Sequence, residues 1–293
     1  MALAVLVAVG VMGMGEASAL TYNASVADSM VLYCGSAYCC GMLGTGVGNW
    51  SCQACRKQPG LTEITVFDAR GTNANGFVGY QPSEDLVVVA FSGTNPLSIE
   101  NDLKDLTFWK TKYTTGGCHE CKVHKGFLES WNSVQASVQN AVQVLLNQHP
   151  TARVAVTGHS LGAALAELCA MDLLFAVSSL PLLPVYSFGT PRVGDENYAQ
   201  FVTATYQQFG SHSFKVVHWK DPVVHLPPEW DGFKFAPQQV FYNNAQSSYT
   251  VCSPSDGEDP SCSDQFGFNV LYLDDHLNYL VMDFTTNYLS CEL

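Results

Sequence analysis

Residues 153–166, R-V-A-V-T-G-H-S-L-G-A-A-L-A, constrain this chain more than any other stretch. A short apolar run meets Gly-His-Ser-Leu-Gly and passes directly into an alanine-rich segment, which predicts a strand, a sharp turn and a helix. At such a turn Gly158 and Gly162, lacking Cβ, let strand and helix approach and leave the Ser160 hydroxyl exposed above the sheet. The Leu161 N–H, at the start of the helix, faces the place where an oxyanion would form. The plainer alternative is a tight β-to-α turn with an idle serine. It loses ground only if a base, a carboxylate and a second oxyanion donor occur elsewhere in a workable order.

The surrounding pattern supplies a frame for that turn. Residues 86–91, L-V-V-V-A-F, form the near-continuous β-branched run of a strand buried on both faces. Residues 64–69 and 76–80 read as a hairpin, and 185–188 and 214–219 as further strands. Helical spacing occurs at 26–33, at 127–148 before Pro150, from the turn to about 177, and at 197–208. This alternation predicts one α/β domain over residues 20–293, with a mostly parallel sheet and helices on both faces.

A serine hydroxyl is a weak nucleophile until a base takes its proton and a carboxylate orients that base. In the order Ser, Asp or Glu, His, Asp221 fits second place because it follows a strand directly. Two histidines come after it. His225 lies in the same Pro-rich turn, whereas His276 opens a separate helical segment after a strand-like run, and the base is assigned to His276. Asp274 and Asp275 stand too close in sequence to reach Nδ1 while leaving Nε2 for the serine. His124, His159 and His218 read as structural histidines. The buried run 86–91 ends in Ser92-Gly93-Thr94, and Thr94 offers a backbone N–H and a hydroxyl as the second oxyanion donor. Beyond it Ser98 reads as a helix N-cap, with Ile99, Leu103 and Leu106 on one face.

Composition narrows the function classes. The chain carries 26 Asp and Glu against 13 Lys and Arg, a formal net charge of −13. It has no basic cluster, which argues against nucleic-acid binding and against electrostatic attachment to anionic membranes. Residues 1–19, apolar and ending in Ala-Ser-Ala, read as a secretory signal too short to span a bilayer, so the expected location is extracellular and the expected state a soluble monomer. Eleven cysteines suit an oxidising compartment. Cys169, on the helix after the turn, is the expected unpaired one. Zinc on Cys52-x-x-Cys55 and Cys118-x-x-Cys121 is disfavoured by the distance between the pairs. The pairing of Cys39, Cys40, Cys52 and Cys55 stays open. The acidic segment 253–264 reads as a solvated loop closed by Cys252 and Cys262. Asn23 and Asn49 begin glycosylation sequons.

Several motifs in one order then resemble the fungal-type triacylglycerol lipases of the class 3 lipase family, over roughly residues 34–291. They are V-V-A-F-S-G-T (88–94), S-I-E-N (98–101), C-x-x-C before V-H-K-G-F (118–127), T-G-H-S-L-G-A-A-L-A (157–166), F-G-T-P-R-V-G-D (188–195), D-P-V-V-H-L-P-P (221–228) and D-H-L-N-Y-L (275–280). The resemblance implies an α/β-hydrolase fold, a triad of Ser160, Asp221 and His276, and an oxyanion hole of Thr94 and Leu161. It also implies a helical lid over 95–106, including Ser98, Ile99, Asp102, Leu103 and Leu106, and disulfides Cys34–Cys291 and Cys118–Cys121. No cofactor or metal is implied. Ser92 stands where the family most often has arginine, and Asp102 where some members carry a lid tryptophan, which leaves 101–105 polar.

The expected function is hydrolysis of fatty-acyl esters through an acyl-enzyme, with a lipid or other ester as the only partner. The rivals are a feruloyl-type or short-chain esterase, which a polar lid would suit, a phospholipase A1 or galactolipase, and a non-catalytic lipid-binding protein on the same fold.

Overall fold

The computed structural model describes residues 21–40, 46–69, 71–267 and 273–291. The expected signal segment 1–19 and the strand-like run at 268–272 lie outside the described residues. Helix α1 (Ala24–Ala37) precedes a hairpin of β1 (Thr62–Ala69) and β2 (Ala74–Gln81), then β3 (Leu86–Phe91), the short helix α2 (Ile99–Lys104), and a small hairpin of β4 (Lys110–Lys112) and β5 (Lys122–His124). Next come α3 (Lys125–Gln148), β6 (Arg153–His159), α4 (Leu161–Ala176), β7 (Val185–Phe188), α5 (Glu196–Phe209), β8 (Ser213–His218), β9 (Gln239–Tyr242) and β10 (Tyr249–Val251). Helix α6 (Leu273–Leu277), the two-residue strands β11 (Asn278–Tyr279) and β12 (Met282–Asp283), and α7 (Phe284–Ser290) follow.

Eight strands form one sheet in the order β1-β2-β3-β6-β7-β8-β9-β10. Strands β3, β6, β7, β8 and β9 run parallel, and antiparallel partners cover both edges. Strand β3 shows why its sequence does not alternate. Val87, Val89 and Phe91 enter the core under α3 and α4, while Leu86, Val88 and Ala90 enter the opposite core under α1. Both faces are dry, so both sets must be apolar.

Helix α4 is buried nearly all round, which explains its alanine-rich composition. Its two carboxylates are consequently paired. Glu167 meets Lys215 of β8 at 2.8 Å, and Asp172 accepts from Tyr113, Trp131 and Gln135 at 2.6–2.7 Å. These contacts fix the helix that begins at the turn. Among the described residues no helix is long and apolar enough to cross a membrane.

The disulfides are Cys39–Cys291, Cys52–Cys55, Cys118–Cys121 and Cys252–Cys262. The expected Cys34–Cys291 pairing is corrected to Cys39–Cys291. Cys34 sits inside α1 with its Sγ 3.1 Å from Thr157 Oγ1, whereas Cys39 lies past the helix end, its Cα 5.2 Å from that of Cys291. Cys34 and Cys40 therefore join Cys169 as free, buried thiols. Both C-x-x-C pairs are closed as disulfides, which removes their sulfurs as zinc ligands.

Candidate active site

Ser160 occupies the turn between β6 and α4 at φ 58° and ψ −127°. Left-handed φ at a residue with a Cβ costs of order 1–3 kcal/mol and persists where the surroundings enforce it. Here the enforcement is close packing. A Cβ on Gly158 would come 2.1 Å from Gly162 O, and one on Gly162 would come 2.5 Å from Ser92 O. The Ser160 N–H is spent on Phe188 O at 2.9 Å. The N–H of Leu161, first in α4, has no intrahelical acceptor.

Asp221 and His276 meet behind this turn. Nδ1 of His276 lies 2.8 Å from Asp221 Oδ2, and both side chains are fully buried. Because the partner is a carboxylate, Nδ1 carries the proton and Nε2 presents a lone pair. Nε2 is buried and makes no hydrogen bond. Gly189, at φ 57°, makes the approach possible, since a Cβ there would come 2.8 Å from both Asp221 Oδ2 and His276 Nδ1. Burial raises the Asp221 carboxyl, but the His276 charge, hydrogen bonds from His276 and Tyr279, and the Val223 N–H together hold it below its ordinary value.

Tyr279 is a member that the sequence reading did not identify. Its hydroxyl donates to Asp221 Oδ2 and accepts from the His218 N–H at 3.2 Å. The available signal was its position three residues after His276 in D-H-L-N-Y-L, although it lies past the end of α6, in β11. His159 is structural, as expected. Nε2 donates to His276 O at 2.8 Å, and Nδ1 therefore accepts from the Tyr38 hydroxyl at 2.7 Å. Burial first, and then the nearby His276, keep His159 well below the ordinary histidine value. His124 caps α3 by accepting from the Phe127 N–H. His218 bonds the carbonyls of Asp275 and Asn244. His225 is buried in the Asp221 loop, and no contact of it with Asp221 or Ser160 is among the described hydrogen bonds.

That loop has its own clamp. Arg192 donates to His225 O at 2.6 Å and Pro227 O at 3.2 Å, and pairs bidentately with Glu258 at 2.7–2.8 Å. Glu258 also accepts from the Phe235 N–H. The expectation that 253–264 is simply a solvated loop is corrected: the Cys252–Cys262 bridge closes it, but Glu258 points inward as the counter-ion of a buried guanidinium. Glu229, Glu258 and Asp264 bring carboxylate oxygens within 4.8 Å of one another, yet Arg192 already neutralises the buried member.

Ser160, Thr94 and Leu161 line a cleft of about 320 Å3 whose apolar wall includes Ile99, Leu103, Leu106, Val223 and Leu226. Helix α2 covers it and is shorter than expected, ending at Lys104, so Leu106 reaches the cleft from the loop beyond. Ser98 holds the N-cap position without capping a backbone N–H. Its hydroxyl instead donates to Asp102 at 2.8 Å.

The sequence model of the family described as Lipase (class 3) matches residues 88–230. A lipase of Rhizomucor miehei is 36% identical over 78% of this chain and 61% of its own length. A secreted mono- and diacylglycerol lipase of Fusarium solani is 32% identical over 70% of this chain and 58% of its own. The chain thus spans about three fifths of the length of these curated relatives. A solved structure of Rhizomucor miehei triacylglyceride lipase superposes with a TM-score of 0.77 at 33% identity, covering 91% of this chain and 98% of that one. Sheet, serine turn and sequence similarity agree, and the chain belongs to the class 3 lipase family with an α/β-hydrolase fold.

Proposed function

We propose that the protein is a serine hydrolase of fatty-acyl esters, with Ser160 as nucleophile, His276 as base and Asp221 as its orienting acid. The observation that carries the reading is the buried Asp221–His276 pair, which leaves Nε2 with an unused lone pair, beside a serine held in a strained turn between β6 and α4 in the same chain. In the reaction His276 takes the Ser160 proton as the hydroxyl attacks the acyl carbonyl. Thr94 and the Leu161 N–H hold the oxyanion, and His276 then protonates the leaving alcohol. Water repeats the cycle and frees the fatty acid. The apolar cleft suits an acyl chain, and the relatives' lipase names favour glycerides.

Contact with a lipid surface belongs to the same reading. Leu97, Trp109 and Trp230 are exposed, and the last two lie close in sequence to the cleft-lining Thr107 and Leu226. Export is supported by the four disulfides and by the secreted Fusarium relative. The polar outer face of α2 favours a second reading, an esterase for soluble substrates.

The test is to express the chain in an oxidising host beside Ser160→Ala and assay both on emulsified triolein and p-nitrophenyl butyrate. Release of fatty acid from triolein by wild type alone supports the lipase. Cleavage of the soluble ester alone moves the substrate class to esterase, and equal rates in the two proteins sink the role of Ser160.

A further inference from the structure

His124 serves two backbone groups with one buried ring, and it stands where the cover of the cleft meets the fixed frame. Its Nδ1 accepts from the Phe127 N–H at 3.2 Å, capping α3, so that nitrogen carries no proton. Its Nε2 lies 2.6 Å from Thr107 O. A carbonyl only accepts, so Nε2 donates. Burial keeps the imidazole below the ordinary histidine value and thus neutral near pH 7. The cap therefore fixes the tautomer that grips Thr107. The ring is itself held, its centroid 4.1 Å from that of Phe127. Gly126 admits it, since a Cβ there would come 3.1 Å from His124 Cε1.

Thr107 divides two kinds of segment. Before it, the hydrogen bonds of residues 95–106 stay within that span among the described residues. Asn95 Oδ1 accepts from the Leu97 N–H, Ser98 donates to Asp102, Lys104 to Glu100, and the Asp105 N–H to Asn101 O. After it, the chain is tied to the start of α3 and to the Asp221 loop. Trp109 O accepts from the Lys125 N–H at 2.8 Å. Lys110 pairs with His124 across β4 and β5, and its Nζ donates to Asp231 O. Thr107, His124 and Phe127 all line the cleft.

We propose that His124 is a positioning residue that ends the movable cover at Leu106: when α2 swings away, the grip on Thr107 keeps residues 107–110 in place, and the cleft wall that a long acyl chain follows stays intact. The proposal rests on the ester-hydrolase reading and adds to it the point where the moving part stops. A hinge absorbs its change of backbone angle over a few residues. A carbonyl bonded to a buried, packed ring does not turn with the helix. Without that bond the rotation runs on toward Trp109 and draws Thr107 off the wall. Contacts remote from the ester supply binding energy that is used at the reacting carbonyl. A long acyl chain therefore has more to lose from a displaced wall than a butyryl chain has.

Two variants of the whole chain divide the work of the ring. Asn is a favoured N-cap, so His124→Asn keeps an acceptor for the Phe127 N–H, but its side chain is too short to reach Thr107 O. His124→Gln places an amide NH2 near the position of Nε2 and gives up the favoured cap. In His124→Asn the amides of residues 107–112 should exchange hydrogen about tenfold faster than in wild type, while those of α3 hold. The ratio of kcat/KM on p-nitrophenyl laurate to that on p-nitrophenyl butyrate should fall by about fivefold or more. His124→Gln should restore both, at a lower melting temperature. Exchange or a ratio that His124→Asn leaves unmoved overturns the hinge stop. An equal loss on both esters overturns it too, because the fault would then lie at Ser160 and not along the wall. So does a folded His124→Gln that behaves like His124→Asn, since the donor to Thr107 would then not matter. If His124→Gln does not fold, His124→Asn decides alone. A wild type that cleaves neither ester sinks the hydrolase reading instead, and hydrogen exchange still judges the hinge.

Discussion

The buried corner behind Ser160 and the helix over its cleft are built by opposite means. In the corner Asp221, His159, His276 and Tyr279 are all 0% exposed, and each polar atom except His276 Nε2 and one lone pair or another has a named partner. Helix α2 buries only Ile99, and its polar bonds, Ser98 to Asp102 and Glu100 to Lys104, stay within the segment. The corner is preorganised, with orientation supplied by packing before any substrate arrives. The covering helix has few contacts to lose, as expected of a low-stability element that controls access. Substitutions in the two regions should therefore fail differently.

The largest effect belongs to the corner. Asp221→Asn keeps the shape but removes the acceptor that fixes the His276 tautomer, and kcat on p-nitrophenyl butyrate should fall by about 10⁴-fold. A fall under tenfold in folded protein would show that another carboxylate orients the base. Glu258→Ala comes next and acts at a distance. It strands Arg192 as a buried, unpaired cation, which costs about 3–5 kcal/mol, and it loosens the carbonyls of His225 and Pro227 just beyond Asp221. A clear loss of melting temperature together with a lower kcat is expected. Unchanged stability would mean that Arg192 finds Glu229, which lies 4.0 Å away, and that the clamp is redundant.

These two residues also mark what the sequence could and could not reveal. The serine turn was legible because its constraints are local: two glycines, a strand before and a helix after. Strand β3 was legible because burial on both faces leaves an apolar run. Asp221 and His276 were legible from their order along the chain and the elements they follow. Glu258 was not, since nothing near it says that an acidic segment turns one carboxylate inward. The cause is Arg192, distant in sequence and brought there by the fold. Cys34, which the resemblance paired with Cys291, was misassigned for a related reason. The choice between it and Cys39 depends on where α1 stops, and that helix runs to Ala37, past the helical spacing read at 26–33. Tyr279 needed the register of the β11–β12 hairpin to bring its hydroxyl to Asp221.

Acid should weaken the corner before it touches the cover. Burial, the leading cause in each case, holds His124, His159 and His225 below the ordinary value of 6.5. As pH falls below 6.5 the unfolded chain takes up protons that the folded chain refuses. Each histidine therefore contributes stability that is complete above 6.5 and is lost as pH drops toward its depressed folded value. Melting temperature should be level above neutrality and decline between about pH 6.5 and 5, before most carboxylates titrate. His159→Gln, which cannot be charged, should shrink that slope, and a slope unchanged in this variant would assign the acid sensitivity elsewhere.

The smallest effect is expected at the Glu100–Lys104 pair on α2. Lys104 Nζ lies 2.7 Å from Glu100 Oε1, with the two side chains 59% and 65% exposed. The hydrogen bond and charge of Lys104 hold the Glu100 carboxyl below its ordinary value, but water and salt screen a pair so open, and ordering two long side chains offsets what attraction remains. Lys104→Ala should leave the melting temperature unchanged within error, both at low salt and in molar salt. Turnover of p-nitrophenyl butyrate should be equally indifferent, because neither side chain lines the cleft. If triolein turnover alone changes, the outer face of α2 meets the lipid surface, and the cover acts through what it touches. A drop in melting temperature comparable to that of Glu258→Ala would instead place α2 within the same cooperative unit as the corner and erase the contrast between them.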